Sequence, residues 1–210
     1  MSEPTRAGFA AVIGAPNAGK STLVNRLVGS KVSIVTQKVQ TTRFPVRGVA
    51  LHDRAQIVLV DTPGIFTPRR RLDRAMVRSA WGGSEGADVT VHLVDAQAHW
   101  AVQQGEATGA DKRAAVDVQT IIEGLRAAGR KAILALNKID HMKRENLLAI
   151  AHAIFADDIY DRVFMISAAT GAGVDDLKAT LAERMPQGPW LYPEDQTADV
   201  PARLLAAEIT

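Results

Sequence analysis

A glycine-rich octapeptide, Gly14-Ala-Pro-Asn-Ala-Gly-Lys-Ser21, carries the strongest chemical signal in the sequence. It fits the G-x-x-x-x-G-K-[ST] pattern of a phosphate-binding loop. An apolar run, Gly8 to Ile13, precedes it and a helical pattern, Lys20 to Gly29, follows it, which is the strand–loop–helix context that the pattern requires. Backbone amides and the N-terminus of such a helix bind phosphate. The sequence therefore predicts a site for a nucleoside triphosphate.

Each residue type in this loop has an expected role. Lys20 is predicted to reach the β- and γ-phosphates and to act as a catalytic residue, and the Ser21 hydroxyl is predicted to bind Mg²⁺. The loop residues expected to contact the nucleotide are Asn17, Ala18, Gly19, Lys20, Ser21 and Thr22.

A second segment, Asp61-Thr-Pro-Gly64, follows the β-branched run Gln56 to Val60. An acidic side chain in this place can hold Mg²⁺ through water. Gly64 can bring a backbone N–H close to a γ-phosphate because it has no side chain to clash. We therefore predict that Asp61 is a metal ligand and that Gly64 is a catalytic, nucleotide-binding residue.

The segment Asn137-Lys-Ile-Asp140 points to guanine as the base. The Asp140 carboxylate offers two acceptors that match the N1–H and N2–H₂ donors of guanine, whereas adenine would leave it unpaired. Asn137 and Lys138 are expected to contact the nucleotide with it. Ser167-Ala168-Ala169 follows the last apolar run, where a backbone N–H can donate to guanine O6.

Apolar runs of strand length alternate with stretches of helix length along the whole chain. This alternation predicts a three-layer α/β fold with a mostly parallel, six-stranded sheet and helices on both faces. Val46 to Leu51 and the following His52-Asp53-Arg54 predict a hairpin, and hence one antiparallel edge strand. Gln97 to Ala115 is polar and poorly patterned, so we expect a long surface loop there, and Pro186 to Pro201 is expected to be an extended linker.

The bulk composition excludes several other classes of protein. The 210 residues contain no cysteine, so disulfides and thiolate sites are excluded. No signal peptide and no run of about 18 apolar residues is present, so a cytoplasmic location is expected. The net charge of +2 is too small to indicate a nucleic-acid-binding protein. The histidines lack metal-site spacing and are expected to be structural or surface residues: His52, His92, His99, His141 and His152.

The order GAPNAGKS, DTPG, NKID and SAATG resembles that of translation-factor-like P-loop GTPases. Gln40-Thr-Thr-Arg43 resembles the first switch of the group that contains the Era and tRNA-modification GTPases. The Era family in particular is indicated by Lys31-Val-Ser-Ile34 and by the distal Tyr192-Pro-Glu-Asp195 and Pro201-Ala-Arg-Leu-Leu-Ala-Ala-Glu208.

This resemblance implies a GTPase domain over residues 1–185. Residues 186–210 would be a linker and the start of a helix leading to a KH domain that the sequence does not contain. Thr42 would be the switch threonine that completes the Mg²⁺ shell and takes part in catalysis. Ile65 stands where Ras-like GTPases carry a water-positioning glutamine, which implies slow intrinsic hydrolysis. Related GTPases with asparagine at the position of Asn17 use K⁺.

The resemblance also implies biological partners. These are small-subunit ribosomal RNA and the 30S subunit, contacted mainly through the KH domain, together with peripheral association with the inner face of the cell membrane. We expect a monomer. Arg69-Arg-Arg71, with Arg74 and Arg78, is expected to form a basic face that is either solvated or a contact for RNA or a partner.

Two other functions stay open. One is the switch domain of a tRNA-modification GTPase, which the distal segment from Tyr192 to Glu208 disfavours. The other is a nucleotide-dependent binding module with negligible turnover. A kinase or ATPase is disfavoured by Asn137-Lys-Ile-Asp140.

Overall fold

The computed structural model describes residues 4–29, 46–60, 86–155 and 158–192. Strands and helices alternate through these segments. The strands are β1 (Arg6–Gly14), β2 (Val46–His52), β3 (Ala55–Val60), β4 (Val89–Asp95), β5 (Ala132–Asn137) and β6 (Tyr160–Met165). The helices are α1 (Lys20–Val28), α2 (Ala96–Gln104), α3 (Gly109–Ala127), α4 (Arg144–Phe155) and α5 (Val174–Arg184), with a 3-10 turn at Ile139–His141.

In the described segments the six strands form one sheet in the order β2-β3-β1-β4-β5-β6. β1 pairs in parallel with β3 and β4, and β4–β5 and β5–β6 are also parallel. The edge strand β2 pairs antiparallel with β3 through the hairpin at residues 52–55. The predicted P-loop GTPase fold, with its antiparallel edge strand, is confirmed.

The sheet is covered on both faces, as the alternation of elements requires. On one face Ala10 and Val12 of β1 pack with the buried sides of α1 and α5. On the other, Ile13 packs with buried residues of α3 and α4. Consecutive residues of β1 thus enter opposite layers, which is the alternation that a pleated strand imposes. This packing fixes the end of β1, where the glycine-rich loop begins.

The expectation of a long loop over Gln97 to Ala115 is wrong. Helix α2 occupies most of its first half and ends at Gly105, which has a φ of 76°. Helix α3 then begins after Thr108, whose hydroxyl accepts from the Asp111 amide while the Asp111 carboxylate accepts from the Thr108 amide. This reciprocal capping box supplies partners for amides that a helix start leaves unpaired.

The chain after α5 lies against the domain up to Tyr192. Gln187 forms a β-bridge with Arg6. The buried Gln56 side chain accepts from the amides of Leu191 and Tyr192 at 2.9 Å each and donates to the Tyr192 carbonyl at 2.8 Å. The first part of the predicted linker is therefore attached to β3, while the proposed boundary at residue 185 stays a prediction.

One histidine is part of the core. His92 of β4 is buried, and its Nδ1 lies 2.6 Å from the Tyr160 hydroxyl. Burial, together with the nearby charge of Lys20, lowers the pKa of His92 to about 3. The ring is therefore neutral in the folded protein at neutral pH.

This buried histidine predicts a pH dependence of stability. An unfolded chain binds a proton at His92 below about pH 6.5 and the folded chain does not, so acid lowers the free energy of unfolding by about 1.4 kcal/mol per pH unit. The effect begins near pH 6.5 and ends near pH 3. His92→Phe should flatten this slope, although it also removes one hydrogen bond of the Tyr160 hydroxyl. Urea unfolding at pH 7, 6 and 5 measures the free energy of unfolding of the unaltered chain and of His92→Phe. If this free energy falls equally with pH in both proteins, the prediction is wrong.

Candidate nucleotide-binding site

The carboxyl ends of four neighbouring strands meet at one edge of the sheet. Gly14 at the end of β1 lies beside Leu93, and Asp95 at the end of β4 lies beside Asn137 at the end of β5. β6 ends next to β5, where the Ile166 amide donates to the Leu136 carbonyl at 2.8 Å. Ligands of open α/β sheets bind at this edge. The segments predicted from separate parts of the sequence are thus brought together.

Two glycines let the phosphate loop pass close to its neighbours. A Cβ on Gly14 would lie 2.5 Å from the Leu93 carbonyl oxygen, and a Cβ on Gly19 would lie 2.4 Å from Nδ2 of Asn137. Gly19 also has a φ of 99°, which disfavours other residues. The glycines of the pattern are therefore required by the local geometry as well as by the approach of a phosphate.

The Lys20 ammonium lies inside the loop. Its Nζ donates to the carbonyls of Gly14 at 2.9 Å and Ala15 at 2.8 Å. Ser21 and Thr22 follow it in the exposed first turn of α1. Asn17 is at the exposed tip of the loop with a φ of 64°, a conformation that asparagine tolerates better than most residues. The loop thus presents a cation and a helix N-terminus together.

Asn137 connects the phosphate loop to the segment after β6. Its Nδ2 donates to the Ala18 carbonyl at 2.8 Å, and its Oδ1 accepts from the Ala168 amide at 2.9 Å. The side chain is buried, so both bonds form away from water, where an unpaired amide would be costly. One side chain therefore sets the spacing between the glycine-rich loop and the segment after β6.

Lys138 has a φ of 68° and turns the chain into the 3-10 segment that carries Asp140. Its Nζ lies 2.5 Å from Oδ2 of Asp95, while Oδ1 of the same carboxylate accepts from the Ala98 amide at 3.1 Å. Asp95 therefore caps α2 and holds Lys138 at once. Asp140, two residues after Lys138, is exposed.

Asparagine at position 95 should separate these two roles. Asp95→Asn keeps an oxygen for the Ala98 amide but loses the charge facing Lys138, so GDP affinity is expected to fall about threefold to tenfold with little change in thermal stability. Asp95→Ala should weaken both. Calorimetric titration and thermal unfolding measure the two effects. The control is Asp158→Asn, which removes a carboxylate facing Lys131 at the other end of β5. If Asp95→Asn and the unaltered chain bind GDP with equal affinity, the charge of Asp95 does not position Lys138.

The loop after β6 is held from outside by Arg26 of α1. Within the loop the Ser167 amide donates to the Ala172 carbonyl at 2.9 Å. Arg26 Nε donates to the Ala168 carbonyl at 3.3 Å, and its Nη2 donates to the Ala169 carbonyl. Sequence reasoning identified Ser167, Ala168 and Ala169 but missed Arg26 and Asp95, since neither belongs to a recognised phosphate- or base-binding pattern.

Three predicted site residues, Thr42, Asp61 and Gly64, lie outside the described residues, and so does the basic face at Arg69 to Arg78. Of the predicted Mg²⁺ ligands the structure therefore places Ser21, beside Lys20 in the first turn of α1. Within the described ranges, no group of three or more metal-ligating side chains forms a separate metal site. No helix in that part of the chain is long and apolar enough to cross a membrane.

Known proteins resemble this chain in sequence and in fold. A family model described as 50S ribosome-binding GTPase matches residues 9–138. GTPase Era of Caulobacter vibrioides (strain NA1000 / CB15N) is 74% identical over 206 residues, which cover 98% of this chain and 65% of that protein. The chain belongs to the Era branch of this GTPase family. The resemblance predicted from the sequence is confirmed.

Other Era proteins extend the comparison. GTPase Era of Maricaulis maris is 58% identical over 207 residues, covering 99% of this chain and 66% of that protein. A solved Aquifex aeolicus Era variant bound to GDP.AlF4- matches with a TM-score of 0.72 and 36% identity, and covers 98% of this chain and 65% of that one. Era in complex with MgGDPNP and part of 16S ribosomal RNA matches with a TM-score of 0.73 and the same identity and coverage. The chain therefore spans about two thirds of the length of the Era proteins it matches.

Proposed function

We propose that this chain is the GTP-binding and GTP-hydrolysing switch domain of an Era protein. The observation that carries the proposal is the Asn137 bridge, which holds the Ala18 carbonyl of the phosphate loop and the Ala168 amide of the base loop at opposite ends of one side chain. A phosphate loop and a guanine-recognition segment in one continuous groove suit a guanosine polyphosphate. Related structures support the ligand, because one Era was solved with GDP.AlF4- and another with MgGDPNP.

At the base end, the loop after β6 would supply a backbone amide. The Ser167 amide is bonded to Ala172, and the Ala168 amide is bonded to Asn137. A backbone N–H of Ser167-Ala168-Ala169 would donate to guanine O6 once the nucleotide is bound. Asp140 would accept from N1–H and N2–H₂, and Lys138 would lie beside the base.

At the phosphate end, Lys20 would exchange its two loop carbonyls for phosphate oxygens. Mg²⁺ would be held by Ser21 together with Thr42 and Asp61, and it would neutralise charge on the β- and γ-phosphates. Gly64 would place its amide near the γ-phosphate. GTP would order the two switch segments and hydrolysis would release them.

Turnover measurements test this proposal. The chain with Mg²⁺ is expected to bind GDP and GTP in preference to ADP and ATP and to release phosphate slowly from GTP. Binding without phosphate release over hours would favour the alternative of a nucleotide-dependent binding module. Preference for ATP would refute the assignment of Asn137-Lys-Ile-Asp140.

For the whole protein we propose a role in small-ribosomal-subunit maturation. The support is the relative solved with nucleotides 1506–1542 of 16S ribosomal RNA. We infer that RNA is bound mainly by the part of the protein beyond this chain, because a net charge of +2 offers few phosphate contacts. The proposed monomeric state and peripheral membrane association are checked by sedimentation with and without lipid vesicles. The alternative role in tRNA modification is disfavoured by the Era relatives matched along 98% of the chain.

Potassium is expected to accelerate hydrolysis through Asn17. This side chain is exposed at the tip of the phosphate loop, where an amide oxygen can help hold a monovalent cation near the phosphates. Such a cation would supply the positive charge that an arginine provides in other GTPases. Turnover should be faster in K⁺ than in Na⁺, and Asn17→Ala should lose that difference. Equal turnover in both salts would contradict the prediction.

A further inference from the structure

We propose that residues 186–192, here called the strap, restrain β3 and thereby lower the affinity of the site for GTP relative to GDP. Gln56 is the positioning residue through which the strap acts. The proposal rests on the proposed function, because it takes Gly64 to approach the γ-phosphate. The strap follows α5 and contacts the amino ends of β1 and β3, at the opposite end of the sheet from the nucleotide.

The first half of the strap is fixed to the start of β1. Gln187 and Arg6 form an antiparallel bridge. Two backbone hydrogen bonds of 3.0 Å flank this bridge, from the Ala7 amide to the Pro186 carbonyl and from the Gly188 amide to the Thr5 carbonyl. This half of the strap is therefore expected to move with β1.

The second half of the strap is fixed to β3 by one side chain. Gln56 Oε1 accepts from the amides of Leu191 and Tyr192 at 2.9 Å each, and Gln56 Nε2 donates to the Tyr192 carbonyl at 2.8 Å. The Tyr192 side chain is also buried, in a cluster with Val49 of β2 and Val58 of β3. This half is therefore expected to follow β3.

The strap thus joins two neighbouring strands whose other ends have different expected roles. β1 and β3 run in parallel, with Arg6 beside Ala55. β1 leads into the phosphate loop, which would contact both GDP and GTP. β3 ends at Val60, and Asp61 to Gly64, the segment predicted to reach the γ-phosphate, follows it directly in sequence. Only GTP would therefore pull on β3.

The direction of this pull sets the sign of the effect. A force on Gly64 towards the γ-phosphate acts along β3 and away from the strap, which is fixed to β1. The force therefore stretches the three hydrogen bonds of Gln56. Hydrogen bonds weaken as they lengthen, and Gln56 is fully buried, so no solvent replaces a weakened partner. Part of the binding free energy of GTP is then used to strain the strap.

The coupling must also act in reverse. If the strap lowers the affinity for GTP, GTP loosens the strap by the same factor, because the two equilibria are linked. Binding and strap order are therefore two independent measurements of one quantity.

The binding test uses GDP and GDPNP, a GTP analogue that is not hydrolysed, titrated calorimetrically with Mg²⁺. Gln56→Met keeps the length of the side chain and removes its three bonds, whereas Tyr192→Ala releases the strap without altering β3. In both variants the affinity for GDPNP relative to GDP should rise about threefold to tenfold, the size of one or two hydrogen bonds. The control is Thr5→Val, which removes a hydroxyl bond of 2.9 Å to the Gly188 carbonyl on the β1 side and should leave the ratio unchanged.

The second test measures hydrogen exchange in the strap of the unaltered chain. The amides of Leu191 and Tyr192 should exchange faster with GDPNP bound than with GDP, by about the same factor of three to ten. The Gly188 amide, which is bonded to Thr5 beside β1, should exchange equally in both complexes. In Gln56→Met the difference between the two nucleotides should disappear.

The outcomes separate the proposal from a purely structural role of the strap. If the variants change the affinities for GDP and GDPNP by one common factor, or lower the ratio, the strap only stabilises the fold and the proposal is wrong. If Gln56→Met does not fold, Tyr192→Ala decides by the same criterion. If the unaltered chain binds neither nucleotide, the proposed function itself fails, and the role of the strap with it.

Discussion

Replacing Lys20 with alanine is expected to weaken binding of GTP and GDP about a hundredfold or more, because each charge-assisted hydrogen bond to phosphate is worth about 1.5–3 kcal/mol. Lys20 is the cation that the loop places at its centre, with Nζ at 2.8 and 2.9 Å from two carbonyls. In the complex the same ammonium would face the β- and γ-phosphates. Calorimetry with GTP and Mg²⁺ measures the loss.

The alanine variant also removes the bonds from Lys20 to Gly14 and Ala15, so loop order and phosphate contact must be separated. Lys20→Met keeps most of the side-chain length and its apolar contacts but, like alanine, removes the ammonium with its charge and its two carbonyl bonds. Thermal unfolding therefore reports how far the lost carbonyl bonds disturb the loop. Lys20→Met should lose affinity nearly as strongly as alanine while its thermal unfolding stays close to that of the unaltered chain. Lys112→Ala, on the exposed face of α3, should bind normally. Unchanged GTP affinity in Lys20→Met would refute the phosphate-loop assignment.

The contiguous parts of this candidate site are the parts that can be predicted from the sequence. Two short segments, Gly14 to Ser21 and Asn137 to Asp140, consist of residue types whose chemistry suits phosphate or guanine. Each segment follows a continuous apolar run that predicts a strand. The carboxyl edge that gathers them follows from parallel pairing, a general property of such sheets. The fold therefore follows from the sequence, and the preference for guanine is a prediction from the same segments.

The missed residues act across long separations. Arg26 meets Ala168 over 142 positions, and Asp95 meets Lys138 over 43. The local sequence pattern does not predict such contacts, because they depend on tertiary packing. The Arg26 contact requires α1 to lie beside the loop after β6, and the Asp95 contact requires β4 to pair with β5. Asp95 was visible as a polar residue ending a strand, but its dual bonding depends on the helix that follows.

The error over residues 97–115 has a different cause. Its signals were local: Gly105 ends one helix, and Thr108 with Asp111 begins the next. In α2 the buried residues are alanines, Ala96 and Ala98, so the helix lacks the apolar stripe by which surface helices are usually found. The capping pattern, not hydrophobic periodicity, was the informative feature.

Changing Asp140 to asparagine is expected to reverse the preference from guanine to xanthine nucleotides. Asp140 lies in the 3-10 turn after Lys138, exposed at the edge where Asn137 joins the two loops. Its carboxylate accepts only, which suits the paired N1–H and N2–H₂ of guanine. Xanthine keeps N1–H but carries a carbonyl at C2, so the amide of asparagine can accept from one and donate to the other.

The expected size follows from the partners lost. In Asp140→Asn the NH₂ group of asparagine would face the 2-amino group of guanine. Because both groups are donors and neither finds an acceptor, GDP affinity should fall about a hundredfold or more. Xanthosine diphosphate should then bind more tightly than GDP, and phosphate contacts at Lys20 should be unaltered because they are at the other end of the groove. Asp140→Ala, which offers neither donor nor acceptor, should bind both nucleotides weakly and without preference. Competition between GDP and xanthosine diphosphate measures the ratio directly; a variant that still prefers GDP would mean that another group reads the base edge.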